Sequence, residues 1–315
     1  MSSSNPPAAG VRVSWDGIPA KVRRDLEARL GSRVVEAKTQ RGGFSPGMAA
    51  RLLLADGSRA FVKAVSEDAN PDSHHIYRQE ARIVAALPAT VPAPRFRWMY
   101  DHRGWVALCF DDVDGRHPDE PWTERDLDLV IRSLKKMSAD LTPSPIEVDE
   151  TVADAFGGTL NGWFRAVERG IRPADQWAVR NLDRLARLEL RAPSAAAGET
   201  LVHFDLRADN MLIAGDRVVV FDWPLARTGA AWVDWLAMAP SVEMQGGPSA
   251  AKFVASFDVR GVDGESINAA LASIAGYFCI HSLDPPPAGI PTVRAFQAAQ
   301  GVVALRWLRE RTGWA

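Results

Sequence analysis

Residues 203–223, HFDLRADNMLIAGDRVVVFDW, restrict the fold more than any other stretch of the chain. Two short apolar runs, Met211–Ile213 and Val218–Phe221, flank the turn sequence Ala214-Gly215-Asp216-Arg217, the pattern of a β-hairpin. Asp205 and Asn210 lie on the polar loop that enters the hairpin, and Asp222 lies at its exit. A hairpin returns the chain close to its starting point, so these three side chains can converge. The excursion is a β-like island in a region whose other segments, 123–141, 177–190, 231–239, 266–280 and 292–309, have helical spacing of apolar residues.

Two carboxylates and one amide oxygen are hard oxygen donors of the kind that suit Mg²⁺. Phosphoryl transfer needs such a cation to neutralise phosphates, and a carboxylate to orient the attacking hydroxyl. A single Asp in a loop is most often a turn residue or a solvated charge. The ordered set His-x-Asp-x-x-x-x-Asn, apolar hairpin, Asp is far more specific, and its spacing matches the catalytic loop and metal-binding aspartate of protein-kinase-like enzymes.

The first third of the chain supplies an independent pattern. A helix over 18–30 ends at Gly31, a strand covers 33–40, and strands 49–55 and 58–65 are joined by Asp56-Gly57, a strong hairpin signal. Between the first two strands lies RGGFSPG, in which Gly42, Gly43, Ser45 and Gly47 offer backbone amides and a hydroxyl to an anion. Lys63 falls on the same strand face as Phe61 and Val65. Glu80, on a helix over 71–87, shares a face with Ile76, Ile83, Val84 and Leu87. An ammonium and a carboxylate on apolar faces each need a partner, and the simplest resolution is that they pair with each other. Residues 105–110 (WVALCF) are expected to form a buried strand that leads through 111–115 into the helical part.

The expected architecture is α+β in two lobes. A small β-rich N-lobe spans 11–112, a larger mainly helical C-lobe spans 113–315, and residues 1–10 form a flexible tail. The tail lacks the basic and apolar regions of a signal peptide, and no run reaches the roughly 18 apolar residues of a membrane span. A net charge of −2 gives no strong global field for nucleic acid or an anionic membrane. Two cysteines make no disulfide framework. A cytoplasmic protein without membrane or nucleic-acid partners is expected.

With these residues in order, the chain resembles the aminoglycoside phosphotransferase family of protein-kinase-like small-molecule kinases. The resemblance runs from about residue 33 to the C-terminal helices. It is carried by HFDLRADNMLI and VVVFDWPLARTGAAWVDWLA, with His203 and Asp205, Asp222-Trp223, Gly229 and Asp234 at the motif positions. It implies ATP and Mg²⁺ (two ions), with Asp205 catalytic and Asn210 and Asp222 holding the metal. Lys63 would meet the nucleotide phosphates beneath the loop of Gly43 and Ser45, and Glu80 would orient Lys63. Phe110 to Val113 would be the hinge for adenine, with Leu212 beneath the ring. His203 and Asp234 would support the catalytic loop. Phe204 departs from the family pattern, where Gly is frequent.

The resemblance implies transfer of the γ-phosphate to a hydroxyl of a small molecule, such as an aminoglycoside-like antibiotic or an amino sugar. A macrolide, peptide-antibiotic or amino-alcohol acceptor is a variant of that reading, and a catalytically silent nucleotide-binding regulator is the non-enzyme alternative. A protein kinase is disfavoured because only eleven residues separate Asp222 from the Val233-Asp234 helix. Asp258, Asp263, Glu265 and Asp284 form either a face for a polycationic acceptor or a solvated surface. Trp163, Trp232 and Trp235 either line an acceptor pocket or fill the core.

Overall fold

The computed structural model describes residues 6–40, 42–44, 46–68 and 71–315. Strands β1 (Val34–Thr39), β2 (Met48–Leu54), β3 (Arg59–Ser66), β4 (Phe96–His102) and β5 (Trp105–Phe110) form an antiparallel sheet in the order β1-β2-β3-β5-β4. Gly57, in the left-handed region at φ +83°, makes the β2–β3 turn. Helix α1 (Ala20–Leu30) ends at Gly31, φ +81°, and α2 (Pro71–Ala86) connects β3 to β4.

Side chains of a strand alternate between faces, and β3 divides accordingly. Ala60, Val62 and Ala64 pack with Val22 and Leu26 of α1 in one core cluster. Val65 packs with Tyr77, Ala81 and Val84 of α2, and with Val106 and Leu108 of β5, in the other. Lys63 is in phase with Val65 and so faces α2. The buried stripe of α2 is Tyr77, Glu80, Ala81, Ile83 and Val84. Ile76, expected on this face, is 38% exposed, because the stripe is rotated toward the Tyr77–Ala81 side. Strand β4 was not anticipated. It is an edge strand whose charged residues, Arg97 and Asp101, break the alternation that would have announced it.

The second lobe comprises α3 (Glu124–Asp140), α4 (Val152–Gly158), α5 (Gly162–Arg169), α6 (Gln176–Arg180), α7 (Leu182–Glu189) and α8 (Ala192–Ala195). Next come β6 (Thr200–Val202), β7 (Met211–Ala214), β8 (Arg217–Val220) and β9 (Arg227–Gly229). The lobe closes with α9 (Trp232–Met244), α10 (Ala250–Ala255), α11 (Gly264–His281) and α12 (Val293–Thr312). The single helix expected over 177–190 is broken at Asn181, whose side-chain amide donates to Trp177 O at 3.1 Å. Strands β7 and β8 pair as the hairpin read from the sequence, and β6 pairs with β9. No helix among the described residues is long and apolar enough to cross a membrane.

Of the tail expected over 1–10, residues 1–5 lie outside the described residues, and the remainder is bonded to the rest of the chain. Within the described residues, Ala8 accepts a hydrogen bond from Gly43 N at 3.0 Å, and Ala9 N donates to Thr292 Oγ1 at 3.3 Å. Trp163, Trp232 and Trp235 are core side chains, each under 10% exposed. The acidic residues near the C-terminal helices are engaged locally: Asp258 with Arg260, Glu265 with Arg191 and Asp284 with Arg165. Asp263 caps α11. Asp258, Asp263 and Glu265 remain exposed to solvent.

Helix α5 is held from below by Glu189, the last residue of α7. Its carboxylate accepts from Trp163 N at 3.3 Å and Phe164 N at 2.8 Å, and it is 1% exposed. Burial pushes this carboxyl up to about 8, against the pull of the amides of Phe164, Trp163 and Gly162. A raised carboxyl means that the folded chain holds the proton more tightly than the unfolded chain. The stabilisation is therefore complete below the ordinary value of 4.5 and is lost as pH rises through about 8. Glu189→Gln, which does not ionise, is expected to flatten the decline in unfolding free energy between about pH 5 and 9 in urea titrations. A decline as steep as that of the wild type would contradict this role.

Candidate active site

The β7–β8 hairpin lies under the sheet, and the segment following β5 ties the two together. Arg116 N donates to Ile213 O at 3.1 Å and Ile213 N to Arg116 O at 2.7 Å. Between sheet and hairpin is a cavity of about 610 Å³. Ala49, Arg51, Phe61 and Lys63 form its ceiling, and Asn210, Leu212, Phe221 and Asp222 its floor. Phe110, Asp111, Asp112 and Val113 close one side, and Gly43 and Phe44 the other. The Phe110 ring contacts Phe96 at 5.5 Å and Phe61 at 6.4 Å between centroids. Ion pairs brace the segment after β5: Arg51 and Arg59 hold Asp112 at 2.7 and 2.8 Å, and Arg97 holds Asp111 at 2.6 Å.

Lys63 is the electrostatic centre of this cavity. Its ammonium is ion-paired to Glu80, lies 2.6 Å from Asp222 Oδ1, and sits 5.0 Å from the centre of the Tyr77 ring. Glu80 also accepts a hydrogen bond from the backbone of Trp223. Burial alone would drive an ammonium toward neutrality, but the carboxylates of Asp222 and Glu80 reverse this and hold Lys63 above its ordinary value. Burial likewise opposes ionisation of Asp222, yet Lys63 and Arg207 hold its carboxyl below the usual range. Asp222 adopts φ +69°, a left-handed backbone rarely taken by a non-glycine residue and often found at functional turns.

The catalytic-loop sequence is shaped by two supports. Asp234, in the first turn of α9, accepts His203 N at 2.8 Å and Phe204 N at 2.7 Å. These bonds hold Phe204 at φ +64°, which explains why glycine suits that position. His203 is fully buried. Its Nδ1 accepts from Asp205 N at 3.2 Å and its Nε2 lies 3.0 Å from Phe221 O, so the neutral ring with the proton on Nε2 satisfies both. Burial pushes it down to about 4, which fits a spacer between loop and hairpin. Asn210 Nδ2 donates to Asp205 O at 2.8 Å and to Asp205 Oδ2 at 3.0 Å.

Asp205 itself stands beside the cavity rather than in its wall. It is ion-paired to Arg207, which also grips Asp209 at 2.9 Å. Burial pushes Asp205 up to about 6, with Arg207 opposing and Asp209 and Asp222 adding to the rise. Arg207 lies 5.2 Å from the centre of the Phe44 ring and 5.9 Å from that of Phe296, so the glycine loop rests on the second lobe. In that loop Gly43 takes φ +82°, and its amide donates to Ala8 O. Gly47 has φ +118° and lies so close to β3 that a Cβ would come within 2.5 Å of Ala64 O. Ser45 lies outside the described residues.

Lys63, Glu80, Asn210, Leu212, Asp222, Phe110, Val113 and Gly43 therefore gather at one cavity; Asp205, bonded to Asn210 of its floor, is part-exposed beside it, and His203 and Asp234 are buried. Sequence reasoning missed Arg207, although it lies inside HFDLRADN, two residues after Asp205. It also missed Tyr77, three residues before Glu80 and thus on the same helix face.

Asp234→Ala would leave two buried amides without acceptors and free a strained loop. The expected cost is about 2–4 kcal/mol of unfolding free energy, measured by urea denaturation. A change below about 0.5 kcal/mol would show that Asp234 does not brace the loop.

The family model of the phosphotransferase enzyme family matches residues 41–265. No curated protein matches the chain significantly in sequence. Among solved structures, a thermostable mutant of aminoglycoside phosphotransferase APH(4)-Ia, in ternary complex with AMP-PNP and hygromycin B, is similar with TM-score 0.64. It is 13% identical, over 94% of this chain and 100% of that one. A candidate fructosamine-3-kinase from Thermobifida fusca aligns with TM-score 0.55 at 19% identity, over 90% of this chain and 98% of that one. An aminoglycoside phosphotransferase from Alicyclobacillus acidocaldarius aligns with TM-score 0.51 at 16% identity, over 89% and 93% of the two chains. These likenesses show the kinase-like α+β fold expected from the sequence. With the match covering most of its length, and with the hairpin, loop and Lys–Glu pair in place, the chain belongs to the phosphotransferase enzyme family and is a small-molecule phosphotransferase.

Proposed function

We propose that the protein transfers the γ-phosphate of ATP, in a Mg²⁺-dependent reaction, to a hydroxyl of a small amine-bearing molecule such as an aminoglycoside-like antibiotic or an amino sugar. The observation that carries this reading is the cavity in which Lys63, held by Glu80 of the first lobe and Asp222 of the second, faces the floor formed by Asn210 and Leu212. The solved relatives add support, one holding AMP-PNP with hygromycin B and another being a candidate fructosamine-3-kinase.

Each residue has a part in this reading. Phe61 and Leu212 sandwich the adenine, and the backbone from Phe110 to Val113 borders its edge. Lys63 meets the phosphates, and Glu80 keeps its ammonium aimed. Asp222, held ionised, and Asn210 would supply one carboxylate and one amide oxygen from the same floor, donors that suit a hard cation. Magnesium, when bound there, neutralises phosphate charge. Asp205 orients the acceptor hydroxyl and takes its proton late in the transfer, and Arg207 keeps its carboxylate in register. Glu120, on the cavity wall beside Gln245, offers a carboxylate to an acceptor amine.

A coupled assay of ADP release, with Mg²⁺ and a panel of aminoglycosides, amino sugars, fructosamines, macrolides and amino alcohols, tests the proposal. At least one hydroxyl acceptor is expected to be phosphorylated. Asp205→Asn should keep nucleotide binding while kcat falls by about 10²–10⁴-fold, because an amide cannot take the proton. Turnover of the variant within about tenfold of the wild type would remove Asp205 from the chemistry.

A further inference from the structure

Ahead of α1 an extended, strand-like segment outside the sheets borders the cavity and bonds to both lobes. Ala9 bridges to Gly42 and Gly43, and Arg12 pairs in parallel with Gly47. Val13 N donates to Gly47 O at 3.0 Å and Gly47 N to Val11 O at 3.3 Å. The same segment grips the second lobe. Val11 N donates to Gly289 O at 2.7 Å, and Thr292 Oγ1 donates to Ala9 O at 3.0 Å.

Val11 is 58% exposed, whereas Arg12 is half-buried. Arg12 lines the cavity together with Lys63 and Asp222, and its Nη2 donates to Gly42 O. That nitrogen lies 3.1 Å from the position of a Cβ on Gly43, so the guanidinium rests against the glycine loop. It is also close enough to Asp222 and Tyr77 to feel both electrostatically.

We propose that Arg12 is a phosphate-binding residue, delivered to the nucleotide's polyphosphate by the N-terminal segment. The inference rests on the nucleotide reading above. A glycine loop normally offers its amides to phosphate, but the Gly43 amide donates to Ala8 O. The segment that occupies this donor brings another in its place. A guanidinium is permanently charged and presents donors in a planar fork that matches phosphate oxygens. Resting against the glycine loop in the cavity that Lys63 also lines, it faces the anion expected there.

Calorimetry on the full-length chain tests this, with Mg²⁺·AMP-PNP as the triphosphate probe and adenosine as the phosphate-free probe. Arg12→Gln is expected to weaken AMP-PNP about tenfold or more, the loss of one charge-assisted contact, and to leave adenosine within about twofold. Arg12→Lys, a point charge without the fork, should fall between wild type and Arg12→Gln. An AMP-PNP affinity of Arg12→Gln within about twofold of wild type would overturn the inference. So would equal weakening of both probes, since the segment would then be shaping the cavity as a whole. A wild-type chain that binds neither probe would overturn the kinase reading itself, an outcome separable from the others because it needs no variant.

Discussion

A buried ammonium is tolerable only where carboxylates answer it, and the arrangement around Lys63 follows from that requirement. One carboxylate, Glu80, comes from the helix packed on the sheet, and the other, Asp222, from the hairpin of the opposite lobe. The sheet, α2 and the hairpin must all be in register for the three charges to meet. Strand alternation turns Lys63 toward α2, helical phase turns Glu80 toward β3, and the left-handed backbone at Asp222 aims its carboxylate up at the ceiling. The cavity is the space these constraints leave between the lobes.

The catalytic-loop sequence is held by groups that do not line the cavity. Asp234 fixes two consecutive amides, and His203 spans from Asp205 to Phe221 as a neutral ring. Phe204 takes a backbone conformation that costs on the order of 1 kcal/mol or more for a bulky residue. It is offset by those hydrogen bonds and by ring contacts with Phe156 and Arg227. The strain sits next to Asp205, where a fixed carboxylate is most useful. Arg207 links this loop to Phe44 and Phe296, so the glycine loop and the loop bearing Asp205 are in contact through it.

Much of this was legible in the sequence because periodicity and spacing express it directly. The hairpin 211–220, the Asp205–Asn210–Asp222 set, and the face-to-face placement of Lys63 and Glu80 each follow from strand or helix geometry acting over a few residues. What was not legible depends on contacts distant in sequence. Ile76 satisfied the helical pattern but lies outside the buried stripe, because the sheet packs against the Tyr77–Ala81 side. Edge strand β4 hides its pattern behind Arg97 and Asp101. Residues 1–10 look like a tail in composition, but Ala8 and Ala9, among those described, bond to Gly43 and Thr292, which are distant in sequence. The acidic residues near the C-terminus could be read as a docking surface or a solvated one; Glu265 and Asp284 pair with arginines distant in sequence, Asp258 with its neighbour Arg260, and Asp263 caps α11.

The central claim is that Lys63 and Glu80 act as one unit in nucleotide binding, and a double-mutant cycle measures this directly. Dissociation constants for Mg²⁺·AMP-PNP would be compared among the wild type, Lys63→Met, Glu80→Gln and the double variant. If Glu80 works by aiming Lys63, the double variant should bind no more weakly than Lys63→Met alone, with a coupling of about 1–3 kcal/mol. Effects that simply add would contradict the account, showing that the two side chains contribute to the cavity independently.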